Sequence, residues 1–98
     1  RDIMFIERAE IPVKPGLEEE FAAAMASKGI AILAAAPGCA SVRLGRGVEN
    51  PGKFILLLEW DSVESHIALT KTPAFDEFKA LAGPFFGGAP NMEHFDMG

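Results

Sequence analysis

The sequence predicts an α+β fold of the ferredoxin-like kind, in the order β-α-β-β-α-β, and three observations carry that prediction. Alternating apolar and polar residues mark strands at 3–13, 39–46 and 53–60. Helical stretches follow "KPG" at 14–16 and start again at "DSVESH" from residue 61. The segment "KFILLLEW" is apolar on both sides, as a strand must be when its sheet is covered on both faces. Such a fold sets two helices against one face of a four-stranded antiparallel sheet.

Each element has its own justification. In "IMFIERAEIPV", Ile3, Phe5, Ala9, Ile11 and Val13 share one side with Glu7 among them, while Arg8 and Glu10 point to the other. Pro12 suits the end or the edge of that strand. Glu18, Glu19 and Glu20 open the first helix, where negative charge complements the helix dipole. Leu17, Phe21, Met25 and Ile32 trace its apolar stripe, and Ala23, Ala26, Ile30 and Leu33 widen it. Gly29 weakens its middle by about 1 kcal/mol relative to Ala, and "PG" at 37–38 ends it.

In the second strand Ala40, Val42 and Leu44 oppose Ser41 and Arg43, and the turn-rich "GVENPG" at 47–52 makes a hairpin with the third. In the third strand Phe54, Leu56, Leu58 and Trp60 share a face, with Ile55 and Leu57 opposite. Asp61 or Ser62 caps the next helix, which presents Val63, His66, Ile67 and Thr70 on one side. Pro73 interrupts, and "AFDEFKALAG" turns Phe75, Phe78, Leu81 and Ala82 inward. A Gly- and Pro-rich loop then displays Phe85 and Phe86, and "NMEHFDM" forms a last short strand.

Composition bounds the function. With 98 residues and 49 % apolar content, residues 1–98 are expected to form one domain. A domain of this size buries only about two-thirds of its unfolded surface, which favours self-association. The face of the third strand left bare by the helices points to a homodimer formed through the sheet face. A net charge of −5, with Lys and Arg scattered singly, argues against nucleic acid. No apolar run approaches the roughly 18 residues of a membrane span, so no membrane partner is expected. The chain starts at Arg1 rather than Met, so residues can precede it; export is not expected from these residues, and the single cysteine, Cys39, suits a reducing cytoplasm. One Cys and two His without HxH or HxxxH spacing make a metal site unexpected.

The segments "VKPGLEEEFAAA", "APGCASVRLGR", "ENPGKFILLLEWDSVESHIA", "TPAFDEFKAL" and "NMEHF" together resemble the antibiotic biosynthesis monooxygenase domain superfamily, the dimeric α+β barrel proteins. Within it the chain looks most similar to small uncharacterised members with a His shortly after the Trp and a Glu-His-aromatic end. The resemblance implies a homodimer of face-to-face sheets, with a pocket in each subunit between sheet and helices. It also implies oxygenation of a small flat aromatic or quinol-type ligand without metal or flavin, so no cofactor is expected. A non-catalytic small-molecule-binding or accessory module of the same fold is the alternative, and proton transfer of an isomerase or lyase kind would use the same pocket. The chain contains no Tyr, so tyrosine-assisted oxygenation is not available to it, and residues 3–13 contain no Asn, which disfavours haem degradation as in some relatives.

Of the candidate site residues, Trp60 and His66 match the family pattern, and the others are read from their own places in the sequence. His66 is the candidate catalytic base, since imidazole titrates near neutrality and oxygenation without a cofactor must first remove a phenol or enol proton. Its competing role is a hydrogen-bonded structural residue. Trp60 is a core aromatic that can also wall a flat ligand. Arg43 can neutralise an oxyanion or pair with Glu59 across the hairpin. His94 belongs either to a solvated edge or to a pocket mouth or dimer seam. Phe85 and Phe86 form a lid or, as preferred here, an interface. Cys39 is assigned a structural place.

Overall fold

The computed structural model describes residues 4–98, so Ile3 lies outside the described residues. Four strands, β1 (Phe5–Pro12), β2 (Cys39–Arg46), β3 (Lys53–Trp60) and β4 (Asn91–Asp96), form an antiparallel sheet in the order β2-β3-β1-β4. The helices are α1 (Glu18–Ala24), α2 (Ile30–Ala34), α3 (Val63–Leu69) and α4 (Pro73–Ala82). This is the ferredoxin-like α+β architecture.

Alternation decides which side of the sheet the core occupies. Ala9 and Ile11 from β1 and Phe54, Leu56, Leu58 and Trp60 from β3 are buried beneath the helices, together with Glu7. Register makes the reason explicit: Glu7 lies opposite Leu58 on one side and His94 on the other, so all three share the covered face. Ile6, Arg8, Ile55, Leu57 and Phe95 occupy the other face, where Arg8 pairs with Glu10 at 2.5 Å and with Glu93. That face mixes apolar side chains with ion pairs.

The first helix departs from the expected single amphipathic run. Between α1 and α2 the backbone opens into a π-helical turn, Met25–Gly29. The buried line runs Phe21, Met25, Gly29, Leu33 and Ala36, whereas Ala23 and Ala26 are exposed. Steps of four residues would drift off one face of a regular α-helix, and a turn with i→i+5 bonds takes up the excess. A Cβ at Gly29 would lie 2.5 Å from Met25 Sδ, so the Met25 side chain would have to move to admit one.

Capping sets the second helical pair. Ser62 Oγ accepts from Ser65 N at 3.1 Å, which selects Ser62 over Asp61 as the N-cap of α3. Asp61 instead accepts from Ser65 Oγ at 2.6 Å. Thr72 caps α4, whose first residue is Pro73. On the two-turn α3, His66 and Leu69 are the buried side chains, while Ile67 is 46 % exposed and Thr70, just past its end, is exposed as well. The inward side of α3 is therefore an i, i+3 pair, narrower than the four-residue face expected.

Phe85 and Phe86 are not displayed on a loop tip. Their rings pack edge-on against Phe21 at 5.9 and 6.4 Å, held by a backbone bond from Lys14 N to Phe85 O and a bridge between Val13 and Phe86. Packing two aromatic rings beside a fully buried third removes part of their area from solvent and leaves both half-buried.

Gly38 pins the start of α3 to the sheet. Its φ is +88°, its carbonyl accepts from Asp61 N at 2.9 Å, and a Cβ would lie 2.5 Å from both Asp61 Oδ1 and Ser65 Oγ. Gly16 has the same φ with open space around it. Gly38→Ala is expected to cost about 2 kcal/mol or more, against about 1 kcal/mol for Gly16→Ala. Urea denaturation of the two variants checks this; equal losses would show that the contact at Gly38 is unimportant.

Candidate active site

A cavity of about 470 Å³ opens between the sheet and helices α3 and α4. Its walls are largely apolar, from Leu33, Leu56, Leu58, Leu69, Phe75, Phe78 and Phe86, with Thr70 and Lys79 also on the lining. Glu7 and His66 also line it, and they are the two buried polar side chains among the described residues, at 7 % and 6 % exposure.

An ionisable group on the apolar face of a sheet must be paired, because desolvating an isolated charge costs several kcal/mol. The chain supplies partners from three elements. Trp60 Nε1–H donates to Glu7 Oε1 at 3.0 Å, reached diagonally across the β1–β3 ladder. His66 Nε2 lies 3.4 Å from the same oxygen. His66 Nδ1 lies 2.7 Å from His94 Nε2 on β4. The Trp60 and His66 rings stack with centroids 5.3 Å apart and planes inclined by 28°. Trp60, Glu7, His66 and His94 thus form one continuous polar string within the core.

Burial biases both titrating members toward their neutral forms. Desolvation raises the Glu7 carboxyl above its ordinary range, against the lowering effect of the Trp60 hydrogen bond. Desolvation, with a second contribution from His94, depresses His66 to about 4. Near neutrality His66 therefore carries no charge, and a carboxyl of raised basicity sits beside it.

The residues expected from sequence are distributed unevenly around this site. His66 lines the cavity, although both ring nitrogens already have polar neighbours. His94 meets His66 without lining the cavity. Trp60 is fully buried behind the pair, so its ring faces His66 and is not among the lining residues. Phe86 lines the cavity and Phe85 does not. Arg43 pairs in register with Leu57, which places it exposed on the opposite face of the sheet, and Ser41 Oγ, not Arg43, donates to Glu59 at 2.7 Å. Cys39 is half-buried at the start of β2, its Sγ 3.5 Å from Ser41 O. Glu7 is the functional candidate that the sequence reading passed over. Its signal was present as a carboxylate at an inward position of an alternating strand.

A ferredoxin-like sheet carrying a buried acid–imidazole pair on the wall of an apolar cavity defines the class of protein. Residues 4–81 match the antibiotic biosynthesis monooxygenase (ABM) family, and the chain belongs to it. It is 32 % identical over 93 residues to the uncharacterized protein YczJ of Bacillus subtilis (strain 168), covering 94 % of this chain and 97 % of that one. A crystal structure from Bordetella bronchiseptica, provisionally described as an antibiotic biosynthesis monooxygenase, superposes with a TM-score of 0.90 at 32 % identity over 95 % of each chain. One from Caulobacter crescentus CB15, similarly described, gives 0.82 at 26 % identity over 97 % of this chain and 90 % of that one.

The two shifts act on stability in opposite directions. The folded pKa of His66 lies below its unfolded value, so stability is lost as pH falls from 6.5 towards 4, by about 3 kcal/mol at most. The folded pKa of Glu7 lies above its unfolded value of 4.5, so its contribution is greatest below that value and is lost as pH rises through the folded one. Denaturation from pH 7 to pH 4 should therefore show the native protein losing ground against His66→Gln and gaining it against Glu7→Gln. Parallel stability curves would contradict both shifts.

Proposed function

We propose that this chain is a monooxygenase that works without metal or flavin on a small, flat, mostly apolar molecule bearing a phenol, enol or quinol hydroxyl. Membership of the ABM family supports the reaction class, and the cavity supports the kind of ligand. The observation that carries the proposal is the Glu7–His66 pair, 3.4 Å apart in a largely apolar wall. A hydroxyl directed at this pair meets a carboxyl made more basic by burial and an uncharged imidazole, which together can take its proton. The resulting anion is electron-rich and can pass an electron to molecular oxygen, so the protein need supply only deprotonation, an apolar bed and exclusion of water.

Among the described residues no helix is long and apolar enough to cross a membrane, and no group of three or more His, Cys, Asp or Glu side chains is placed to hold a metal ion. We further propose that a second copy covers the open sheet face. Ile55 and Leu57 are only half-buried there, beside Ile6 and the 43 % exposed Phe95. A chain without Tyr, whose Trp60 is engaged in the core, also suits a binding module of the same fold.

Oxygen uptake with anthrones, naphthols and quinols separates the readings, because a binding module retains the ligand and consumes nothing. Uptake is expected, and Glu7→Gln and His66→Ala should each lower it by about a hundredfold or more while leaving the fold intact. Uptake indifferent to both changes would remove the pair from the chemistry. Light scattering at micromolar concentration should return the mass of a dimer; a monomer would leave the open face unexplained.

A further inference from the structure

The Glu7–His66 pair admits two opposite divisions of labour, and the choice depends on one proton. In neutral imidazole one ring nitrogen donates and the other accepts. If the His66 proton is on Nδ1, Nε2 is a lone pair facing the cavity and His66 is the base. With the proton on Nε2, His66 is a donor toward whatever oxygen enters, and the base must be Glu7.

Three contacts bear on that choice. The 2.7 Å separation of His66 Nδ1 and His94 Nε2 holds a single proton, since two would collide and none would leave lone pairs opposed. Glu7 Oε1 already accepts from Trp60 Nε1–H, so it presents lone-pair density to His66 Nε2 at 3.4 Å. A lone pair on Nε2 would face that density, whereas an N–H there is attracted to it. Glu7 Oε1 keeps this character whether or not Oε2 carries a proton.

We propose that His94 is a positioning residue that donates Nε2–H to His66 Nδ1 and so, together with Glu7 Oε1, holds the proton of His66 on Nε2. This assignment rests on the proposed oxygenase reading and deepens it. Glu7 is then the base and His66 Nε2–H the donor that stabilises the oxyanion left behind. In the step itself the ligand O–H bond breaks, a carboxyl O–H bond forms on Glu7, and the electron pair stays on the ligand oxygen. No electron leaves the ligand until oxygen accepts one. The depressed basicity of His66 agrees with this arrangement, because a ring that stays neutral keeps Nδ1 free to accept. The site is thereby matched to ligands whose hydroxyl can give a proton and then receive a hydrogen bond on the same oxygen. An ether, which has no proton to give, is excluded from reaction though not from the cavity.

The test is long-range proton–nitrogen NMR of the imidazole rings in the 15N-labelled full chain at neutral pH, with no ligand and no turnover. His66 should show Nε2 protonated and Nδ1 bare in the native protein, the bare nitrogen displaced far downfield. His94→Gln, whose side-chain amide can still donate to Nδ1, should preserve that pattern. His94→Leu should shift His66 to a mixture of both tautomers. A native His66 with its proton on Nδ1 overturns the proposal outright, and that reading needs no variant to fold. A His94→Leu ring indistinguishable from the native one overturns the role of His94. An absence of oxygen uptake would defeat the oxygenase reading while leaving these tautomers as measured.

Discussion

Everything distinctive in this protein depends on the placement of a carboxyl group on the covered face of the sheet. A carboxylate buried alone would take several kcal/mol from a domain whose whole stability is on the order of 10 kcal/mol. Glu7 is tolerated because Trp60 donates to it, and it in turn gives Trp60 a partner for an N–H that has no water to turn to. His66 stacks on the indole and approaches the same carboxyl oxygen, and His94 completes the string from the outermost strand. Each member satisfies a group that would otherwise be orphaned in the core.

The sheet order makes this assembly possible. With β1 between β3 and β4, a single residue of β1 has neighbours on both sides, and register puts Leu58 on one and His94 on the other. Ser62 then starts α3 four residues before His66, so the imidazole descends onto that row from above. The rigid parts of the molecule, β1 and β3, carry the acid and its donor. The helices supply the cavity wall. In a site built in this way the sheet itself sets the distance between the acid and its donor.

Much of the architecture was legible in the residues themselves. The two-sided apolar pattern of 53–60, the "PG" exit at 37–38 and the capped restart at Ser62 each express local chemistry that tertiary contacts did not override. The π-helical turn was hidden because the four-residue spacing of the buried line passes through Gly29, which carries no hydrophobic signal of its own. The partial burial of Phe85 and Phe86 was hidden because it depends on where Phe21 lies. Half of the site was visible: His66 as an inward-facing imidazole, Trp60 as a strand-end aromatic. Glu7 was visible only as an interruption in an apolar side, and its partners stand 53, 59 and 87 residues away in sequence. Register, not periodicity, makes it the centre of the site. Arg43 shows the converse, a plausible charge set on the wrong face by the same alternation that placed it.

The account stands or falls on whether a hydroxylated aromatic meets the Glu7–His66 pair. The most direct measurement is a titration of the anaerobic protein, carrying 13C-labelled glutamate and 15N-labelled histidine, with 1-naphthol. The side-chain carboxyl resonance of Glu7 and the ring nitrogens of His66 should shift together and saturate, with surface glutamates such as Glu49 and Glu64 unmoved. A naphthol that fails to bind, or one that binds while leaving Glu7 and His66 unchanged, would contradict the account.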